Sequence, residues 1–353
     1  MSVGALWRSW WLRGALALTS AGVFAGLVVW RGPKLLRGIG DAFVAVRWQW
    51  VVVAIALNLV SVVARSIAWR AVIQAAMPQP RPSYMLVFSA FSVGLFANAV
   101  LPGRIGELAR VAVLTRKFPA RRGMWATLVG TVFSHRVFDM VPVALLVLYV
   151  LVTAKIPGWA YTSLEAALGA GFLLFVFAFA TARHHHRDIE GLGAARRLLA
   201  MARQGLVVMR TPVPATIAVV FQFVGWTCQL FAVYTAMRAF DIHSPLPAAG
   251  LVLLLMNVAT IFPLWPGNVG LVQVAVATPL FHYGVAYGRG IAYGFGLQAI
   301  EASVGIGVGL LFLAREGLSF AMLRVMPDAS QAEVPEHEAA EEDVDRERAG
   351  VSR

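Results

Sequence analysis

Six charged residues interrupt stretches that are otherwise apolar: Arg104, Glu107, Arg110, Arg136, Asp139 and Glu301. The chain is 59% hydrophobic and only 14% charged, so each of these six is an exception to its surroundings. In a hydrocarbon setting such a charge costs about 3 kcal/mol or more on insertion scales, which demands partners or a wet cavity. Glu107 and Arg110 lie three residues apart, as do Arg136 and Asp139 in "SHRVFD", a spacing that puts both members on one helical face. The chemistry this set supports is electrostatic: holding, balancing and releasing an ion. Two readings stand side by side at this point. One is a set of structural ion pairs that lock helices together, with boundary arginines reaching toward the aqueous face. The other is an anion site at Arg104 and Arg110, with Glu107, Arg136, Asp139 and Glu301 building a polar path. Intramembrane carboxylates also serve as acids or bases, but no nucleophile and base can be paired, so no catalytic residue is expected.

The elements that must position these charges are membrane helices. About 20 apolar residues cross the hydrocarbon core, and nearly uncharged runs occupy 14–30, 48–64, 84–103, 124–152, 156–182, 213–237, 242–288 and 290–314. The first run follows Arg8 and Arg13 but ends in "VVWRG" without a small-x-small cleavage site, so a retained anchor is expected. The run from Ile242 to Gly288 contains no Lys, Arg, Asp or Glu; it exceeds one span and is broken at "PLWPGNVG".

That break has a counterpart. "LPGRIGELARVAVLT" from Leu101 and "WPGNVGLVQVAVATP" from Trp265 share the order apolar-Pro-Gly-x-apolar-Gly and then continue as apolar, helix-compatible sequence, at an offset of 164. Pro102, Gly103 and Gly106 make the first break, and Pro266, Gly267 and Gly270 the second. Proline removes a backbone donor and glycine permits positive φ, so each break frees the N-terminus of the following half-helix, an end that attracts anions. The same offset carries Arg136 to position 300, beside Glu301. The expected fold is therefore all-α: six spanning helices plus two Pro-Gly helical hairpins, at 84–118 and 248–285, in an inverted repeat. With the N-terminus inside, the inner segments, including 65–83, hold 17 Lys and Arg against seven outside, as the positive-inside rule requires. The basic segment 31–47 then falls outside, where an interfacial helix is expected.

The remaining features narrow the function. Residues 327–353 carry nine Asp and Glu against three Arg. Their lack of large apolar residues predicts an acidic disordered tail, separate from the membrane domain 1–326 and placed on the cytoplasmic side. The basic residues of 1–326 are spread over loops, where topology explains them; nucleic acid is not an expected partner. The arginines of 183–210 suit anionic lipid headgroups. Gln222, Gln229, Asn257, Asn268 and Gln273 suit hydrogen bonds between helices or a polar path, with Asn268 and Gln273 at the second break counted with the binding site. His135 is a titratable candidate. His184, His185 and His186 cannot share one helical face, so no metal and no other cofactor is expected. Cys228 is the single cysteine and cannot form an intrachain disulfide.

"LPGRIGELARVAVL", then "HRVFD" and "FPLWPGNVGLVQVAVATPLFHYGV", resemble the transmembrane family found as the flippase-like domain of bacterial lysylphosphatidylglycerol synthases and as stand-alone membrane proteins. The resemblance spans roughly residues 14–315. The family's first motif, Pro-x-x-x-Gly-Glu followed by an arginine, is matched by Pro102, Gly106, Glu107 and Arg110. Its second usually has a glutamate where this chain has Gln273, which removes the acidic group that a proton or cation coupling would use there. The resemblance implies movement or handling of an anionic or modified phospholipid, or a polyprenyl-linked lipid, at the bacterial inner membrane. An alternative it leaves open is a non-transporting scaffold that presents lipid to a partner glycosyltransferase or synthase. The bifunctional synthases add a soluble aminoacyl-transferase domain after the membrane part; here an acidic tail follows instead, so synthesis of aminoacylated lipid by this chain alone is not expected.

Overall fold

The computed structural model describes residues 33–77, 81–100, 105–118, 124–156, 211–260 and 268–315, with a few isolated positions besides. Among the described residues there are nine helices and no strand. They are α1 Pro33–Val44, α2 Trp48–Ala76, α3 Tyr84–Val100, α4 Gly106–Lys117, α5 Met124–Thr153, α6 Pro212–Ala239, α7 Leu246–Ala259, α8 Leu271–Phe281 and α9 Tyr287–Arg315. The expected spans at 14–30 and 156–182 lie mostly outside the described residues, as do the tail, the triple histidine and four of the break residues, Pro102, Gly103, Pro266 and Gly267.

Four helices, α2, α5, α6 and α9, are long and apolar enough to cross a membrane. Their outer faces show why they need one: Val52, Val60, Leu145, Leu148, Val213 and Leu311 are exposed, and a row of exposed aliphatics is stable against lipid and not against water. The protein is a multi-pass membrane protein. By contrast α3, α4, α7 and α8 have 17, 12, 14 and 11 residues. At 1.5 Å per residue α4 and α8 are only about 18 and 16 Å long, too short to cross a core of about 30 Å. They form the second arms of the two hairpins.

The offset of 164 seen in the sequence maps α2, α3, α4 and α5 onto α6, α7, α8 and α9. Among the described residues the most extensive packing is between the two first helices of these halves, α2 and α6. The Arg47 amide donates to the Ala239 carbonyl at 2.9 Å and Ser61 Oγ donates to the Gly225 carbonyl at 2.8 Å, while Val72 packs with Ala218. Rising numbers on one helix meet falling numbers on the other, so α2 and α6 are antiparallel and the halves are inverted. Ser61 and Gly225 are themselves 164 apart; the pseudo-twofold axis passes between them. Small residues make the close approach: Ala54, Ser61, Ala218, Gly225 and Ala236 are buried, as expected where packing in lipid must come from close backbones.

One reading changes. The run 48–64 continues as helix to Ala76, so Arg65 and Arg70, counted with an inner loop, are helical. The expected interfacial segment at 31–47 contains α1, which lies against α9 where Gly38 meets Gly288.

Candidate functional site

The first hairpin is closed by its own polar groups. The Gly106 amide donates to Asn98 Oδ1 at 2.9 Å across the break, so one of the N–H groups that a bare helix start would offer to an anion already has a partner. A Cβ on Gly106 would overlap the Gly94 carbonyl and the Asn98 side chain; only glycine lets α4 begin this close to α3. That start places Glu107 in the first turn of α4 and Arg110 one turn further. Both expected pairs form: Glu107 contacts Arg110, and Arg136 Nη1 lies 3.3 Å from Asp139 Oδ2. Glu107 also contacts Arg136, which joins hairpin arm α4 to α5 in one alternating chain of charges.

Aromatic rings enclose this chain. The Arg110 guanidinium lies 4.5 Å from the Trp69 ring centroid and 5.3 Å from that of Phe91, and its side chain is only 4% exposed. Trp69 is fixed in turn by its indole N–H, which donates to Thr131 Oγ1 at 3.2 Å. On the far side Trp226 Nε1 donates to Asp139 Oδ1 at 2.9 Å, so a residue of the second half holds a carboxylate of the first.

From Trp226 the network runs on through a residue that sequence reasoning did not place here. Arg65 stacks on the Trp226 ring at 4.9 Å, and its Nη2 donates to Gln229 Oε1 at 2.5 Å. Gln229 Nε2 faces Glu301 Oε1 at 3.5 Å. Glu301 is the middle residue of α9, Asp139 and Trp226 adjoin the midpoints of α5 and α6, and Arg65 and Gln229 lie within about 5 Å of theirs. The polar set is therefore a layer at mid-membrane depth, crossing from one half to the other through the axis. It is not sealed. Arg136 is 48% exposed and Glu107 26%.

The residues of the second break stand apart. Asn268, with φ of +45°, donates from Nδ2 to the Ala259 carbonyl at 2.9 Å. The Gly270 amide donates to Gln273 Oε1 at 2.6 Å, and Gln273 Nε2 donates to Gln298 Oε1 at 2.8 Å. Asn268 and Gln273 thus shape the hairpin and tie it to α9. Asn257 bonds back to the Leu253 carbonyl at 2.8 Å. Gln222 is buried and donates to the His135 carbonyl at 3.2 Å, and the His135 ring meets Phe91 edge-on. Arg104 lies outside the described residues. Among the described residues no group of His, Cys, Asp and Glu has the arrangement of a metal site.

An inverted pair of helix–hairpin–helix units with a charged layer at mid-depth defines a class, the polytopic membrane proteins built from repeats with broken helices. Within that class, the family described as the lysylphosphatidylglycerol synthase TM region matches residues 10–309, and the chain belongs to that family. No curated protein and no solved structure matches it. Family and fold together give a membrane protein with a lipid-related role.

Proposed function

We propose that this protein is a lipid translocase of the bacterial inner membrane, moving an anionic or modified phospholipid or a polyprenyl-linked lipid, with its acidic tail in the cytoplasm. The single observation that carries the reading is the charged layer at the midpoints of α2, α5, α6 and α9, with Arg136 half exposed. A fixed clamp has no use for a half-exposed arginine shared between two carboxylates on different elements. A path for a polar headgroup does. The first tip, with Arg104 and Arg110, receives the headgroup, and the contacts of Glu107 with Arg110 and Arg136 are those that must open to let it pass. Inverted repeats supply the alternating access, because exchanging the conformations of the two halves turns the cleft from one face to the other. A ligand drives that exchange only through unequal affinity for the two states.

In this reading the chain is a carrier and not an enzyme. The basic loops hold anionic headgroups at the surface, and a lipid-modifying enzyme is the natural source or consumer of the cargo. The test is headgroup-labelled lipid in proteoliposomes, with loss of inner-leaflet label as readout. The expected result is protein-dependent equilibration across the bilayer for at least one anionic or polyprenyl lipid. Label that stays put across the whole lipid series overturns the translocase and leaves the scaffold that presents lipid to a partner enzyme. Product analysis of the same vesicles checks the non-catalytic assignment.

A further inference from the structure

We infer that Arg65 is the docking point for the phosphate of a lipid headgroup, held on the pseudo-twofold axis between the two halves. The inference deepens the translocase reading and rests on it for the source of the ligand.

Three guanidiniums belong to the mid-depth layer. Arg110 and Arg136 each contact a carboxylate; Arg65 contacts none among the described residues, its hydrogen bond going to the neutral oxygen of Gln229. The carboxylates whose charge reaches Arg65 are Asp139 and Glu301. Both are engaged elsewhere, Asp139 by Arg136 and the Trp226 indole, Glu301 by the Gln229 amide. A guanidinium near the bilayer centre without a directly paired anion is the costliest group in the layer, and its Nε is buried with no hydrogen-bond partner. An oxyanion beside it removes both costs together.

The geometry around Arg65 suits a phosphate. The guanidinium lies over the Trp226 ring, and its planar N–H fork is the arrangement that matches two oxygens of a phosphate. Gly225 makes the room for the Arg65 side chain itself on the axis: a Cβ there would stand 2.9 Å from Arg65 Cγ and 3.3 Å from Nε. A phosphate diester carries one negative charge, which neutralises the one unpaired cation. The ligand is a lipid because the site lies at mid-depth between helices with apolar outer faces; acyl chains can stay in the bilayer while the headgroup enters the cleft.

Its position explains why this arginine and not another. Arg65 and Gln229 correspond under the offset of 164 and touch each other, as Ser61 and Gly225 do. A ligand on the axis keeps the same neighbours when the halves exchange conformations, so it can be handed from one face to the other without leaving Arg65. Glu107 and Arg110, off the axis in the first half, cannot do this.

The experiment uses the purified full chain in detergent, with native mass spectrometry for bound lipid and thermal unfolding for stability. The probes are phosphatidylglycerol, diacylglycerol with the same chains, and inorganic phosphate. Phosphatidylglycerol is expected to bind the parent protein and diacylglycerol not to, and inorganic phosphate at matched concentration should leave the lipid in place. Arg65→Gln should weaken phosphatidylglycerol at least tenfold and Arg65→Lys less. Gln229→Glu is the decisive variant, because it leaves Arg65 intact and gives it a carboxylate. It should bind phosphatidylglycerol at least tenfold more weakly while staying folded in detergent, the new Arg65 pair offsetting the amide donor that Glu301 loses. Parent-like binding by Gln229→Glu overturns the inference, as does equal binding of diacylglycerol; displacement of lipid by inorganic phosphate reassigns the site to a soluble anion and overturns the lipid source. Vesicle assays separate this from the broader reading. A parent protein that binds through Arg65 but moves no lipid sinks translocation alone, whereas Arg65→Gln moving lipid at the parent rate sinks the docking site alone.

Discussion

The two hairpins share a backbone plan and differ in almost all of their chemistry. Position for position at the offset of 164, Glu107 answers to Leu271, Arg110 to Val274, Arg136 to Ile300 and Asp139 to Ser303. The first hairpin meets its neighbouring long helix through ions, with Glu107 contacting Arg136; the second does so through amides, with Gln273 donating to Gln298. Inversion therefore repeats the fold without repeating the charge. If both halves carried the ionic set, the cleft would present the same charges whichever way it opened. In the proposed translocase, with all of the layer's ions but Glu301 in one half, the two openings would differ in affinity for a charged headgroup, and a difference in affinity is what a ligand needs in order to shift populations.

The largest test of this comparison is removal of the central carboxylate. Glu107→Gln leaves Arg110, 4% exposed, without its anion and frees one side of Arg136. Breaking a buried pair by deleting one partner costs about 3–5 kcal/mol, and the expected result is a clear fall in unfolding temperature in detergent. The corresponding change in the amide hairpin, Gln273→Leu, strands the Gly270 amide and one oxygen of Gln298 and should cost about 1–3 kcal/mol. Equal losses would mean that the ionic set is no more of a constraint than the amide one. The double variant Glu107→Arg with Arg110→Glu keeps a local pair while misplacing the cation; it should fold and lose lipid handling, and full activity would remove the headgroup role of the first tip.

A smaller effect sharpens the link between the halves. Trp226→Phe keeps an aromatic face for Arg65 but deletes the N–H donated to Asp139 at 2.9 Å. Hydrogen bonds to charged groups contribute about 1.5–3 kcal/mol, and Asp139 retains Arg136, so a loss near the lower figure is expected. Lipid movement should fall more than stability does, since the bond spans the two units that must move against each other. A fall in stability with parent rates of lipid movement would make Trp226 a packing residue only.

How much of this could be read from the chain varies with the kind of interaction. The two Pro-Gly breaks and the offset of 164 carried the repeat, because a broken helix leaves local marks in residue type. The i, i+3 pairs of Glu107 with Arg110 and Arg136 with Asp139 were visible for the same reason. Arg65 was not. A charge normally ends an apolar run, and the partners that let α2 continue past it, Trp226 and Gln229, come from α6 more than 160 residues away. One signal was present: adding 164 to Arg65 gives Gln229, already suspected as a polar contact. Asn268 and Gln273 share with the charges a place after a Pro-Gly pair, but the contacts by which they shape their hairpin, Asn268 with the Ala259 carbonyl and Gln273 with the Gly270 amide and Gln298, show only in the fold.

The finest distinction between the hairpins concerns two glycines that occupy the same place for different reasons. Gly106 has no room for a side chain, since a Cβ would overlap the Gly94 carbonyl and Asn98. Gly270 has open space around it but a φ of +93° with a ψ of −54°, a backbone region that side chains disfavour by about 1–3 kcal/mol. Alanine at either position should therefore destabilise, by about 1–3 kcal/mol at Gly106, the usual cost of overpacking, and at the lower end of that range at Gly270. The order within each site is the sharper reading. With open space around it, Gly270 should be indifferent to side-chain size, so Gly270→Asn should lose about as much as Gly270→Ala, whereas the larger side chain should make Gly106→Asn lose more than Gly106→Ala. Unfolding temperatures of the four variants decide it: a size dependence at Gly106 and none at Gly270 confirms a steric requirement in the ionic hairpin and a conformational one in the amide hairpin, and the same dependence at both would erase the difference.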